Sequence, residues 1–404
     1  MERYIEEKAR RTKIFGEYDV VVCGGGIAGI SAALSAARAG AKTLLLESAY
    51  MLGGLATAGL VTIYLPLCDG RGHQLSFGIA EELLRLSVSL GGESKTDRAV
   101  SYRVWLDDDT KAERKNNRFE AQYNPNVFAI LAEQLLQTSG VEILYGATVA
   151  AAVLETDKKI RAVVIETREG RFAVKGKSFV DATGDAAVYR VCNQPLAKFQ
   201  KGNALSWWYC ELIDGENTLR LRGSLDIDSA SGKYANGFDG VSAREVSANV
   251  AKGHALILED FLKRGKASDT HALTMLPVIP QVRKTRRIYG TYEIKISDER
   301  KSFIDSVGMF GDWRKRGPAY ELPFSCLHDG EIKNLACAGR CISSEDDMWE
   351  LTRVIPVCAV SGEAAGLAAA LCDDFTTLDV AKLQAELKNR GVKLHIDETG
   401  IEME

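Results

Sequence analysis

The residues of this chain that could do chemistry fall into three groups. Gly24, Gly26 and Gly29 stand in a G-x-G-x-x-G spacing, and Glu47 follows about 20 residues later. Glycines so spaced let a backbone turn tightly, approach a pyrophosphate and pack a helix against a strand. An acid at that distance can accept hydrogen bonds from ribose hydroxyls. The second group is cationic. Arg283, Arg286 and Arg287 in RKTRRIYG could hold a carboxylate or phosphate bidentately, or form structural ion pairs with nearby acids. The third is His73 in DGRGHQ, which suits either an acid–base role or a hydrogen-bonded place at the surface. Trp207, Trp208 and Tyr209 could line an apolar pocket or simply pack a core. Arg314–Arg316 reads as a solvated turn.

These groups need elements to place them. Asp19–Cys23 is an apolar run of strand length, Ile27–Ala39 has helical composition, and Lys42–Leu46 reads as the next strand. The glycines therefore sit at a strand-to-helix turn, where free N–H groups and the helix dipole favour phosphate. Gly53, Gly54 and Gly59 make a close-approach loop after the second strand. A helix is expected within Phe77–Ser89, and another after Asn124 as cap and Pro125 in the first turn, closed by Gly140. VEILYGATV reads as one strand, followed by a β-meander and a buried strand at Ser178–Asp181. From about residue 187 to 326 the character changes, with one helix expected near Arg244–Arg264. NLACAGR then returns to the buried-strand-plus-glycine pattern. RVIPVCAVSGEAAGLAAALC reads as a long helix of small residues, and DVAKLQAELKNRGVKL as a last helix with a strand-like end. Ser361–Gly366 reads as a second glycine-rich helix start. There Gly362, Ala364, Ala365 and Gly366 would admit a flat ring, and the helix dipole would favour the negative edge of a reduced flavin. Tight helix packing with no ligand is the other reading of those small residues.

The 404 residues suffice for two or three domains, or one large domain with insertions. A net charge of −4 gives no reason to expect nucleic acid, and no apolar window is long enough for a membrane span. The N-terminus has no apolar secretory segment. Nine scattered cysteines with no C-x-x-C fit reduced thiols in a cytoplasmic protein.

The order of motifs resembles the FAD-dependent oxidoreductases with the glutathione-reductase-type fold, and within them a broad group ending in GRCIS…RV.P…GEAAG. VVVCGGGIAGISAA, LLLES, LGGLAT, FVDATGDA, RKTRRIYGTY, AGRCIS and RVIPVCAVSGEAAG carry the likeness. It implies an α/β fold: a Rossmann-like FAD-binding domain, with central parallel sheet and β-meander, in residues 1–63, 120–186 and 327–404. A mixed α+β substrate domain would be inserted as 64–119 and 187–326. It implies non-covalent FAD, with Gly24, Gly26 and Gly29 at the pyrophosphate and Glu47 at the ribose. Val149 would meet the adenine, and Thr183, Gly184 and Asp185 the AMP half. Gly53, Gly54 and Thr57 would run beside the flavin, Gly339 and Arg340 beside the pyrophosphate or ribityl chain. Arg353, Gly362, Ala365 and Gly366 would approach the pyrimidine edge.

The reaction expected is hydride transfer between a small organic substrate and flavin N5, with His73 and Arg286 as candidate substrate-facing residues. The substrate is open to being anionic. Its identity, the direction of reaction, the electron donor or acceptor and any homo-oligomer stay open. A nicotinamide-dependent dehydrogenase and a non-catalytic FAD-binding protein are the alternatives. The first leaves the second glycine-rich stretch unexplained.

Overall fold

A computed structural model describes residues 5, 7–91, 120–156, 158–200, 202–203, 206–223 and 238–401. Its centre is a seven-stranded sheet. Strands β1 (Lys13–Cys23), β2 (Thr43–Glu47), β5 (Glu142–Tyr145), β8 (Gly170–Asp181) and β16 (Leu335–Cys337) form its parallel part, in the order β5-β2-β1-β8-β16. Val20, Val21 and Val22 are wholly buried, as expected for strands covered on both faces. β6 (Thr148–Leu154) and β7 (Ile160–Thr167) run antiparallel and complete the sheet.

Two boundaries differ from the sequence reading. The buried strand expected at Ser178–Asp181 is the end of the twelve-residue β8, whose first half pairs with β7 and second half with β16. One strand thus belongs to both meander and parallel sheet. VEILYGATV is two strands, because Gly146 takes a φ of 63° and turns the chain between β5 and β6.

Helices α1 (Ile27–Arg38) and α7 (Ile355–Leu371) cover the sheet together. α7 is buried on every face from Ile355 to Ala369. Helices α2 (Ile79–Val88) and α3 (Pro125–Thr138) flank them. The Asn124 side chain accepts from the N–H groups of Asn126 and Val127, at 3.0 and 3.2 Å, so the expected cap forms. Helix α4 (Ala187–Val191) follows β8. The two-stranded ladders are β3 (Ile63–Tyr64) with β4 (Ala121–Gln122), β9 (Leu196–Lys198) with β13 (Arg286–Ile288), and β14 (Ser306–Gly311) with β15 (Ala319–Pro323).

A separate sheet, β11-β10-β12, is built from β10 (Ser206–Ile213), β11 (Glu216–Gly223) and β12 (His271–Met275), with α5 (Ala243–Lys263) packed on it. Trp207 lies against the backbone of α5, so close that a Cβ at Gly253 would stand 2.2 Å from the indole. Trp207, Tyr209 and Ile257 form their own small core. Trp207 and Tyr209 are therefore packing within this sheet, while Trp208 between them is half-buried, its backbone N–H donating to Gln281 at 2.8 Å. Short helix α6 (Trp349–Thr352) precedes α7, and α8 (Val380–Asn389) follows it. The strand-like end expected up to Leu394 forms no strand, and a 3-10 turn follows at Ile396–Thr399. Residues 92–119, part of the stretch expected to be an insertion, lie outside the described residues.

Candidate functional site

The carboxyl ends of β1, β2, β8 and β16 meet at one edge of the sheet, with Cys23 level with Asp181 and Asp181 level with Cys337. Crevices beyond such strand ends are where doubly wound sheets take ligands. Here the crevice is a cavity of about 710 Å³.

Its floor is the glycine loop. Gly24, at a φ of 103°, makes the turn. Gly29 faces inward, where a Cβ would lie 1.7 Å from the Gly24 carbonyl oxygen, so it serves helix–strand packing. Gly26 differs: a Cβ there would meet no atom within 4 Å, and the residue lines the cavity. Of these three glycines, Gly26 alone faces open space, and that space is the cavity. Glu47 lines the same wall. One carboxylate oxygen accepts from the Gly25 N–H at 2.7 Å and the other from the Ala49 N–H at 2.6 Å. It clamps the glycine loop to the end of β2. Gly53 is tied alongside, its N–H donating to the Gly25 carbonyl at 2.8 Å.

The remaining walls come from distant parts of the chain. Val149, beside Ala147 and Thr148, lines one end. Thr183, Gly184 and Asp185 line the rim above β8. They are set by Asp181, which is wholly buried. Asp181 accepts from the Thr183 N–H and hydroxyl with one oxygen and from the Val188 N–H, at 2.8 Å, with the other. Burial pushes this carboxyl above the usual range, against those hydrogen bonds. Gly339 and Arg340 line the middle, next to Gly26 and Ala28. The Arg340 guanidinium donates to the carbonyls of Val282 and Arg283 at 2.9 and 3.1 Å. Gly54 and Arg353 line the other end, with Leu55, Val61, Ile63 and Leu65 making it apolar.

Several expected positions lie elsewhere. Gly362 and Gly366 are at the crossing of α1 and α7, where a Cβ would stand 2.3 Å from the Ala28 carbonyl and 2.0 Å from that of Ala32. They permit close helix packing. Ala365, beside them, is likewise buried outside the cavity. The reason is the helix start. α7 begins at Ile355, so its N-terminal turn brings Val354, Ile355 and Cys358 to the cavity, and residues 362–366 lie about two to three turns further along. Thr57 is buried, its hydroxyl donating to the Leu52 carbonyl inside the loop. His73 is held by Asp69, Nδ1 to Oδ2 at 2.8 Å, in a turn that does not line the cavity. Arg286 pairs with Lys198 in the β13–β9 ladder, also away from it. Arg287 is buried against Glu293 at 2.9 Å. Of that arginine run, Arg283 lines the cavity.

The sequence reading missed the wall opposite the glycine loop. Ala243, Val246 and Ser247 from the first turns of α5, with Ile279, Pro280 and Val282, stand there. Ser242 caps α5 by accepting from the Glu245 N–H, and that Ser-x-x-Glu pattern marks the helix start. Nothing in it marks the direction the helix faces. Thr285 ties this wall to the rim, its hydroxyl donating to Asp185 at 2.7 Å.

The cavity suits FAD on its own geometry. It joins an open glycine cradle to an arginine at mid-length and an apolar far end. Among the described residues no cluster of side chains suits a metal ion, and no helix is long and apolar enough to cross a membrane.

The chain is similar to several known proteins. A thioredoxin reductase of Ureaplasma parvum serovar 3 is 34% identical over 73 residues, which are 18% of this chain and 24% of that one. The chain thus matches about a quarter of that reductase's length. Among solved structures, a geranylgeranyl bacteriochlorophyll reductase-like protein of Thermoplasma acidophilum aligns over 93% of this chain and 84% of its own, at 14% identity and a TM-score of 0.49. A p-nitrophenol 4-monooxygenase of Pseudomonas putida aligns over 94% and 81%, at 15% identity and a TM-score of 0.44. Residues 19–204 and 227–387 match the family described as FAD dependent oxidoreductase, and over that span the chain belongs to it.

Proposed function

We propose that this FAD-dependent oxidoreductase takes a small organic substrate against its cofactor in the cavity above the sheet, and that hydride passes between substrate carbon and flavin N5. The carrying observation is Gly26, whose missing side chain faces open cavity space while its neighbours are packed. In this reading Gly26, Gly339 and Arg340 hold the pyrophosphate, Glu47 the ribose, and Val149 with Thr148 the adenine. Thr183, Gly184 and Asp185 run beside the AMP half. Gly24 shapes the turn, and Gly53, Gly54 and Arg353 flank the flavin. Bound FAD supplies the hydride acceptor and donor.

The substrate wall comes from residues 187–326, which we assign with 64–119 as the inserted region. Ile279, Pro280 and Val282 make it apolar, and Arg283 stands among them. This favours a substrate with an apolar body and an anionic group, met by Arg283 in place of the expected Arg286. An apolar wall that excludes water strengthens that charge-assisted contact.

The test is an absorbance spectrum of the purified protein, followed by anaerobic addition of candidate aromatic and aliphatic acids, their uncharged analogues, and NADH and NADPH. Bleaching of the flavin bands by an acid but not by its amide supports the reading. Flavin bands that no organic substrate bleaches would return the chain to a non-catalytic FAD-binding role.

A further inference from the structure

Residues 278–285 run along the cavity as a strap that belongs to no helix or strand. Ile279, Pro280, Val282, Arg283 and Thr285 of this strap line the cavity. Groups from elsewhere hold it at intervals. At its start the Val278 N–H donates to the Ala58 carbonyl at 2.9 Å, in the loop between Leu55 and Val61 at the apolar end. Gln281 makes two hydrogen bonds with the Trp208 backbone, accepting from its N–H at 2.8 Å and donating to its carbonyl at 2.9 Å. Asn203 does the same for Lys284, accepting from its N–H at 3.0 Å and donating to its carbonyl at 2.5 Å. At the other end the Thr285 hydroxyl donates to Asp185, on the rim above β8.

The middle of the strap is held by Arg340. Its Nη1 donates to the carbonyls of both Val282 and Arg283, at 2.9 and 3.1 Å. Arg340 itself stands on the sheet side and has a rigid base. Its carbonyl accepts from the indole N–H of the wholly buried Trp349, and the N–H of Gly339 donates to the Ser361 hydroxyl of α7 at 3.0 Å. The rest of the guanidinium lies over Gly184, where a Cβ would stand 2.2 Å from Nη2, 2.7 Å from Cζ and 2.9 Å from Nε. Gly184 and Arg340 both line the cavity. One planar group therefore grips the strap with one nitrogen and lays its other edge on the rim. Among the described residues that other edge makes no hydrogen bond. A guanidinium can serve two sides at once because its donors are spread over a rigid fork, whereas an ammonium has a single centre.

We propose that Arg340 is a positioning residue that couples the cofactor to the substrate wall: its Nε–Nη2 edge meets the pyrophosphate while Nη1 holds the strap, so that the order of residues 278–285 depends on the cofactor. A segment outside helix and strand opens locally at small cost, and a grip on its middle carbonyls is where such a segment is most readily fixed. Cofactor then binds before substrate, and each raises the affinity for the other. This rests on the reading that Arg340 meets the pyrophosphate.

The experiment measures hydrogen–deuterium exchange at the amides of residues 278–285 in the protein alone, saturated with FAD and saturated with ADP, with both dissociation constants in parallel. ADP carries the diphosphate and no flavin ring, so any protection it confers does not come from a ring resting on the wall. In wild type each ligand is expected to slow exchange about tenfold or more, the worth of a hydrogen bond to a charged group. Arg340→Met is expected to bind both ligands more weakly and, once saturated with ADP, to show no slowing. Arg340→Lys is expected to regain affinity without the slowing, because one ammonium does not span pyrophosphate and strap. A merely structural role predicts faster exchange in Arg340→Met that ADP slows by the wild-type factor, and that result overturns the coupling. Full slowing in Arg340→Lys overturns it as well, since charge alone would then suffice. Should Arg340→Met fail to fold or to take up ADP, wild type decides alone: slowing by ADP supports the coupling, and bound ADP without slowing overturns it. ADP affinity unchanged in Arg340→Met removes the reading that Arg340 meets the pyrophosphate, and this inference with it; weakened affinity with undiminished slowing removes the coupling alone.

Discussion

Glu363 offers a test of the fold that needs no cofactor. It lies on α7 in the otherwise apolar run AVSGEAAG and is 3% exposed. Its Oε2 accepts from the N–H of Ile79, the first residue of α2, at 2.8 Å. Gly78 makes this approach possible: at a φ of 62°, a Cβ there would stand 2.4 Å from that oxygen. Two effects compete on the carboxyl. The N-terminus of α2 favours an anion by about 0.3–1 kcal/mol, up to about 2 when partly buried. Burial opposes the charge and wins, pushing the carboxyl from 4.5 to about 7, with the Ile79 N–H and Arg390 opposing and Glu82 assisting. That rise corresponds to about 3 kcal/mol.

The sign follows from proton counting. Between pH 4.5 and about 7 the folded chain binds the Glu363 proton and the unfolded chain does not. This contribution is fully present below the unfolded value and is lost as pH rises through the folded one. Glu363→Gln keeps an oxygen for the Ile79 N–H and cannot ionise. The variant should match wild type near pH 4.5 and exceed it by about 3 kcal/mol above pH 8. The assay is urea unfolding of the cofactor-free protein at stepped pH, read as the difference between the two curves so that other titrating groups cancel. Parallel curves, or a variant less stable than wild type at high pH, would show that the helix N-terminus outweighs burial and refute the reasoning.

Gly26→Val should fold with near wild-type stability and lose FAD, because its side chain enters cavity space; flavin fluorescence titration beside a melting curve checks both, and full flavin occupancy would sink the assignment. Gly362→Ala should do the opposite, losing about 1–3 kcal/mol or more through contact with the Ala28 carbonyl, as seen in the melting temperature. Arg283→Ala should raise KM for an anionic substrate about tenfold or more, the worth of a charge-assisted hydrogen bond, while Arg286→Ala leaves it unchanged in steady-state assays. Asn124→Ala should cost about 1 kcal/mol at the start of α3 by urea unfolding, with FAD affinity retained.

The first βαβ unit was legible because each signal in it is local. An apolar strand, spaced glycines and an acid at the end of β2 sit within one stretch of chain, and the structure has them in that order. The cap at Asn124 was legible for the same reason. Gly362–Gly366 misled because glycine spacing reports only that something approaches closely. A helix backbone and a ligand leave the same mark in sequence, and the surroundings of the missing Cβ tell them apart: open at Gly26, occupied by α1 at Gly362 and Gly366. His73 and Arg286 were singled out by residue type. Their positions depend on the Asp69 turn and the β9–β13 pairing, contacts that a linear reading does not contain.

The charges of the cavity follow one division of labour. Among the described residues five charged ones line it: Glu47, Asp185, Arg283, Arg340 and Arg353. Both acids are already engaged, Glu47 by the N–H groups of Gly25 and Ala49 and Asp185 by the Thr285 hydroxyl. Asp181, Glu350 and Glu363 do the same work further back, each gripping a loop, a helix start or an arginine. Buried carboxylates here organise backbone, since an acceptor that takes several N–H groups fixes a loop whose glycines cannot fix themselves. Arg340 is different, since the carbonyls it meets are neutral and leave its charge in place. The two acids of the wall are spent on scaffolding and Arg353 is paired with Glu350, while Arg340 meets only neutral carbonyls among the described residues. An overall acidic chain, at a net charge of −4, thus puts three arginines against two acids on the described cavity wall, a balance that favours an anionic ligand.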